Sequence, residues 1–278
     1  MTANHRIRAL FLDLDGTLID HTETISSGIL SELARVNKLG CEVVACTGRT
    51  RFTAEHIIRQ FPFEPRYVVT SNGGAALDLC AAEPMMVRRL DIHEAHFLVG
   101  ALVEAGITPY VYEDAVVPGV EYARVLYPHG HAVGPFAHAP RYRPQVHIHN
   151  SLPFHPISVS AFGPATVLRP LAAALIREIG DHISVIQSGS GTNWGIELFS
   201  HGVNKCEGMK VVLRRLGLQQ HETMAIGDHF NDIEMLQWAH IGVAMGNAQP
   251  EIMAIAQHTA PDLAHDGAAW AIRQFIRN

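Results

Sequence analysis

The stretch Arg6 to Leu14, RIRALFLDL, is a nearly continuous apolar run that ends at Asp-Gly. A short run without polar alternation suits a strand covered on both faces, the environment of a strand inside a parallel sheet. Two acids, Asp13 and Asp15, then stand together at the carboxyl end of that strand. Paired carboxylates in such a place repel one another unless a cation or a proton lies between them. This one segment therefore calls for a layered fold and for a compensating charge.

The following segments supply the layers. Ile29, Leu30, Leu33 and Val36 fall on one stripe of a helix that Gly40 stops, and Cys41 to Ala45 reads as the next strand. Thr53 to Phe61 reads as a helix, and Arg66 to Thr70 as a strand running into Ser71-Asn72-Gly73-Gly74. Strand and helix in alternation predict the α/β class, with a doubly wound, mainly parallel, Rossmann-like sheet.

After about residue 80 the rhythm changes. A helix carries Leu98, Ala101, Leu102 and Ala105 on one face, and short strands follow among Pro- and His-rich turns. Ile157 to Phe162 is a further strand, and a helix with Leu168, Leu171, Ala172 and Leu175 is closed by Gly180. Residues 82–188 thus read as an inserted α+β domain with its own sheet, and 1–81 with 189–278 as the core. To that core are assigned strand Gly195 to Phe199, a helix with Met209, Val212, Leu213 and Leu216, strands Thr223 to Ile226 and Ile241 to Met245, and the helix Gly267 to Ile276.

Composition narrows the function classes. With 278 residues, 47% apolar and 17% charged, the chain can bury a substantial core in one large or two smaller domains. Its 21 basic and 27 acidic residues give a formal charge of −6, and no Lys/Arg run marks a nucleic-acid or anionic-membrane footprint. Four cysteines without C-x-x-C spacing suggest neither a zinc knuckle nor a disulfide framework, which fits a reducing compartment. The first apolar run is broken by Asp13 and Asp15, unlike a signal peptide, and no run approaches the ~20 residues that span a bilayer. The expected location is the cytoplasm, with no nucleic-acid and no membrane partner.

Four short segments carry chemistry. In Asp13-Leu14-Asp15-Gly16-Thr17, one carboxylate can attack phosphorus while a second hands a proton to the leaving oxygen. A calcium loop would need Gly at the sixth position and Glu at the twelfth, where this chain has Leu18 and Thr24. A solvated Asp-Gly turn is the other reading of the dipeptide. Thr47-Gly48-Arg49 follows a strand and precedes a helix, where a hydroxyl and glycine-flanked N–H groups can meet an anion. Arg49 is placed to reach a substrate or to cap the surface. Lys205 lies in the first turn of a helix, where the dipole disfavours a cation but a point charge can neutralise a transferring phosphoryl group. Gly227-Asp228-His229-Phe230-Asn231-Asp232 brings two more acids to a strand's carboxyl end. With Asp13 they would form a hard oxygen-ligand site suited to Mg²⁺; as a bland alternative, Asp232 is a helix N-terminal acid.

With these residues in view, the chain resembles the haloacid dehalogenase-like superfamily, in its Cof-type branch of sugar-phosphate phosphatases. It carries that family's four motifs in order: DLDGT from Asp13, TGR from Thr47, the single Lys205, and GDHFNDIEML from Gly227. SNGG at Ser71, AMGNA at Ala244 and DGAA at Asp266 are softer likenesses. The resemblance implies Asp13 as nucleophile and Asp15 as acid and then base. It implies a Mg²⁺ site from Asp13, the carbonyl of Asp15 and Asp228, supported by Asp232. Thr47, Gly48, Arg49, Lys205 and Asn231 would bind substrate, and the insert would act as a cap.

The expected activity is therefore Mg²⁺-dependent hydrolysis of small phosphorylated metabolites, sugar phosphates foremost, through an aspartyl phosphate. A phosphomutase of the same fold and a non-catalytic phosphometabolite sensor are the alternatives, and either a monomer or a dimer is compatible with the sequence. His129, His131, His138, His147, His149 and His155 crowd the insert, where they line a cleft, lie on the surface or hold zinc.

Overall fold

The computed structural model describes residues 6–113, 124–127, 144–147, 152, 154–190 and 193–277. Along the chain the elements are β1 (Ala9–Leu12), α1 (Ser27–Lys38), β2 (Glu42–Cys46), α2 (Arg51–Ile58), β3 (Tyr67–Thr70), β4 (Ala75–Asp78), β5 (Met86–Val87), α3 (Ile92–Glu104) and β6 (Pro109–Glu113). Next come β7 (Arg124–Tyr127), β8 (Pro144–His147), β9 (Ser158–Gly163), α4 (Ala165–Ile179), β10 (Ile183–Ser190) and β11 (Asn193–Ser200). The chain ends with α5 (Lys205–Leu216), β12 (Thr223–Gly227), α6 (Ile233–Trp238), β13 (Ile241–Ala244), α7 (Pro250–Ile255), β14 (His258–Thr259) and α8 (Gly267–Phe275).

Two compact units form. One comprises Met1–Arg49, Ala54–Met86 and Asn204–Asn278; the other, Val87–Val203 with Thr50–Thr53. The first holds a sheet of order β14-β13-β12-β1-β2-β3-β4-β5, parallel from β14 to β3 and antiparallel between β3 and β4. β1 lies inside it, between β12 and β2, which explains the unbroken apolar run: all four of its residues are buried. Because side chains alternate along a strand, Ala9 and Phe11 join a core with Met209, Val212 and Leu213 of α5 and with Met235 and Leu236 of α6. Leu10 and Leu12 point to the opposite face, and α1, which also packs on α8, lies against β2. Helices on both faces make this the doubly wound α/β core.

The register sets the site. Leu12 pairs with Ala45 on one side and with Ile226 on the other, so β1, β2 and β12 end together. The residues just beyond them, Asp13, Thr47 and Asp228, emerge at one edge.

The second unit holds a sheet of order β10-β11-β9-β6-β7-β8, antiparallel except between β7 and β8. One face packs Val111, Val159, Ala161, Ile196 and Leu198 against Leu98 and Leu102 of α3 and Leu168 and Leu175 of α4. The strand at 195–199, assigned from sequence to the core sheet, belongs here. It pairs antiparallel with both β10 and β9. The Ser and Gly cluster near 189 that suggests a linker instead forms the last residues of β10, with Ser190 opposite Asn193. Of the insert's histidines, His129, His131, His138 and His149 and the side chain of His147 lie outside the described residues. His155 stands with Nδ1 3.2 Å from the carbonyl of Leu90.

Candidate active site

Lys205 is the first residue of α5, which Asn204 caps by accepting from the Glu207 N–H at 3.0 Å. Its ammonium is 1% exposed and donates to Asp13 Oδ1 at 2.6 Å and to Asp232 Oδ1 at 2.7 Å. The helix dipole opposes a cation here, and two charge-assisted hydrogen bonds overcome it. Burial alone pulls the lysine's pKa down, yet Asp13 and Asp232 hold it above its ordinary value. Lys205 is a cation throughout the physiological range.

Asp232 is held from both sides. While Oδ1 faces Lys205, Oδ2 accepts from the backbone N–H groups of Asp228 at 3.0 Å and His229 at 2.9 Å. The tight turn that makes this possible starts at Gly227, where a Cβ would lie 2.5 Å from Asp232 Cγ. Asp228 is thereby aimed back at β1. Its Oδ1 accepts from the Thr17 hydroxyl at 3.1 Å, and Asn247 Nδ2 reaches both the Gly16 carbonyl at 2.9 Å and Asp228 Oδ2 at 3.4 Å. Gly16, at φ +78°, is obligatory for the same reason: a Cβ there would sit 2.1 Å from Asp228 Oδ2.

Oxygens of Asp13, Asp228 and Asp232 all lie within 4.8 Å of one another. Three carboxylates stand around one ammonium, and the surplus negative charge appears in the proton affinities of Asp13 and Asp228. Burial, assisted by Asp232 and Asp228 and opposed by Lys205, raises the Asp13 carboxyl well above its ordinary range. Burial and then the charge of Asp232 push Asp228 up to about 7. Hard oxygen donors, clustered and under-neutralised, fit a divalent cation such as Mg²⁺. Asp13 Oδ2 accepts no hydrogen bond from the described residues, which leaves that oxygen open for chemistry.

A second cluster surrounds Asp15. Arg49 grips it with both arms of a fork, Nε to Oδ2 at 2.8 Å and Nη2 to Oδ1 at 2.6 Å, and its Nη1 donates to Glu23 Oε1 at 2.6 Å. Arg49, expected among the substrate-binding residues, is here committed to two carboxylates. Glu23 in turn meets His56 Nε2 at 2.5 Å through Oε2.

A third group fixes the Thr47 loop. The Thr47 hydroxyl accepts from the Arg49 N–H at 3.0 Å and keeps its own proton for an anion. Asn72, in the left-handed region at φ 53°, donates its N–H to the Thr47 carbonyl at 3.0 Å and accepts from Asn231 Nδ2 at 2.8 Å. A Cβ at Gly48 would press on that same Asn72 amide at 3.0 Å. Asn231 Oδ1 is buried without a partner.

The structure thus brings Asp13, Lys205, Asp228 and Asp232 into one cluster, joins Asp15 to Arg49, and ties Asn231 to the Thr47-Gly48 loop through Asn72. Thr17, Glu23, His56, Asn72 and Asn247 carry no role in the sequence reading. Asn72 and Asn247 could have been suspected, since each is an Asn beside a Gly in a stretch, SNGG or AMGNA, at the end of a core strand.

A family model described as haloacid dehalogenase-like hydrolase matches residues 10–272. The 5-amino-6-(5-phospho-D-ribitylamino)uracil phosphatase of Bacillus subtilis is 25% identical, over 97% of this chain and 96% of its own. A phosphoglycolate phosphatase of Methanothermobacter thermautotrophicus is 23% identical, over 97% and 99%. Among solved structures, a sugar phosphatase of HAD subclass IIB superposes with a TM-score of 0.79 at 21% identity, covering 96% of this chain and 98% of that one. These likenesses at low identity show a shared fold along nearly the whole chain.

Proposed function

The chain belongs to the haloacid dehalogenase-like hydrolase family, and on that premise we propose that it is a Mg²⁺-dependent phosphatase of small phosphorylated metabolites, sugar phosphates foremost. The observation that carries this reading is the buried cluster in which one ammonium is shared by Asp13 and Asp232 while Asp228 stands within ligand distance of both.

Asp13 is the nucleophile. Its open oxygen forms a bond to phosphorus as the bond from phosphorus to the leaving oxygen breaks, and Asp15 gives that oxygen a proton. Water then attacks the aspartyl phosphate, Asp15 takes the water's proton, and the bond between phosphorus and the Asp13 oxygen breaks to release phosphate. Lys205, the Thr47 hydroxyl and Asn231 hold the phosphoryl oxygens. Phosphoryl transfer needs chiefly this positioning and charge neutralisation.

The carboxylates of Asp13 and Asp228 and the carbonyl of Asp15 would hold Mg²⁺, which when bound would supply positive charge to neutralise a phosphoryl group. Asp232, whose two oxygens accept from Lys205 and from two backbone N–H groups, orients the cluster. The second unit, Val87–Val203 with Thr50–Thr53, which the sequence reads as a cap over 82–188, is proposed to select the leaving group.

The test is phosphate release from a panel of sugar phosphates, phosphorylated polyols and p-nitrophenyl phosphate, with Mg²⁺ and with chelator. Release that requires Mg²⁺ and vanishes in Asp13→Asn supports the reading. Tight metabolite binding without turnover by the unmodified chain would sink it.

A further inference from the structure

Glu23 lies outside the four motifs, yet the structure fastens it from several directions. Its backbone sits in the left-handed region at φ 56°, a conformation that costs a non-glycine residue about 1 kcal/mol. Such strain persists where the surroundings over-determine it, and here they do. Gln60 Nε2 donates to the Glu23 carbonyl at 2.8 Å, and the Ile25 N–H donates to Gln60 Oε1 at 3.0 Å. The side chain is equally engaged, with Oε1 accepting from Arg49 and Oε2 from His56.

His56 reads as the Nε2–H tautomer. Its Nδ1 is buried without a partner, and a bare lone pair there is cheaper than an orphaned N–H. The ring therefore serves to orient Glu23.

We propose that Glu23, oriented by His56, is a positioning residue that fixes the Arg49 guanidinium and through it the carboxylate of Asp15. The role rests on the phosphatase reading above. Asp15 alone is a poor anchor, since its side chain is 53% exposed and the Arg49 side chain 20% exposed. Even a forked pair, where its carboxylate is open to water, is screened and pays rotamer entropy to hold one geometry. A third bond to a glutamate that is itself pinned removes the freedom of the guanidinium to swing. Fixing the guanidinium fixes where Asp15 sits, whether both of its oxygens accept from the fork as a carboxylate or one is left to carry the proton, and proton transfer to a leaving oxygen is sensitive to placement at the ångström scale.

The experiment compares two substrates in one preparation. With Mg²⁺, kcat/KM is measured for glycerol phosphate, whose alkoxide must be protonated to leave, and for p-nitrophenyl phosphate, whose nitrophenolate leaves without a proton. Glu23→Gln is expected to lower the first by about 10- to 100-fold while the second changes little, because kcat/KM reports only the steps up to departure of the leaving group. His56→Leu should move the ratio the same way. His56→Gln, whose amide can still donate to Glu23, should restore it.

The ratio does not depend on the fraction of folded protein, so partial misfolding cannot imitate the effect. A fall shared equally by both substrates, or an unchanged ratio in both Glu23→Gln and His56→Leu, would overturn the positioning role alone. A wild-type chain that turns over neither substrate would overturn the phosphatase reading and this role with it.

Discussion

Lys205 and Asp232 stand 2.7 Å apart in side chains that are 1% and 0% exposed, and they meet across 27 residues of chain. A pair so buried is poor evidence for stability in itself, but removing one partner leaves an uncompensated charge. Lys205→Met should therefore destabilise the chain by roughly 3–5 kcal/mol at about pH 8. The loss should shrink toward about pH 5, because carboxyls that take up protons no longer need the ammonium. Denaturant unfolding at the two pH values measures this. An equal loss at both would contradict the electrostatic account.

Proton affinity sets the pH dependence of metal binding. With Asp228 at about 7, the folded chain binds a proton that the unfolded chain has already released. The sign follows: this group's contribution to stability declines as pH rises from about 4 to about 7. Mg²⁺ must displace that proton, so its affinity should rise with pH and its binding should release protons. The gain in thermal midpoint on adding Mg²⁺ is expected to be larger at about pH 8 than at about pH 6. Calorimetry in buffers of different ionisation enthalpy counts the protons, and a flat profile would refute the assignment.

Asp15→Asn should separate the two half-reactions. Loss of general acid and base catalysis is expected to cost about 10²- to 10⁴-fold in turnover of alkyl phosphates. With p-nitrophenyl phosphate the first step survives and the second stalls. Mass spectrometry of the quenched mixture should then show the chain carrying one added phosphoryl group.

Gly16→Ala tests how closely β1 and the Asp228 turn approach. The φ of +78° costs an alanine roughly 1–2 kcal/mol, and its Cβ would meet Asp228 Oδ2 at 2.1 Å. Asp228 must move. Mg²⁺ affinity should fall by about 10- to 100-fold, far out of proportion to the change in thermal midpoint. Unchanged affinity would show that Asp228 is not a ligand.

Much of the core was legible because its strands are covered on both faces and its helices on one. The apolar run into Asp13, the stripe from Ile29 to Val36 and the helix that starts at Lys205 each have a single physical solution. β4 escaped because SNGG reads as a turn between strand and helix, whereas it opens a hairpin in which Thr70 pairs with Ala75. β10 escaped for a related reason, since Gly and Ser residues near 189 resemble a linker; β11 is read as a strand over Gly195 to Phe199, and only its antiparallel partners β10 and β9 place it in the second sheet.

The charge cluster was legible in its members and not in its wiring. Asp13, Lys205 and Asp232 announce themselves by type and by place at strand and helix ends. That Arg49 turns to Asp15 and Glu23 could not be read, since Glu23 sits in a loop of ordinary polar residues and its backbone conformation has no sequence signature. SNGG points to Asn72 but not to its part, which depends on a left-handed turn that lets the residue bridge Thr47 and Asn231.

The interior place of β1 also bears on how the protein is born. Its edge toward β2 is satisfied early, but the other edge belongs to β12, with Ala9 opposite Thr223. At ~5–20 residues per second, a ribosome needs about 10–40 s to make the intervening 200 or so residues. During that interval a wholly apolar strand waits with one row of amides unpaired, the condition under which nascent chains stick to each other. The same interior place that sets Asp13 at the centre of the charged cluster leaves β1 one-sided until the chain has been made as far as β12.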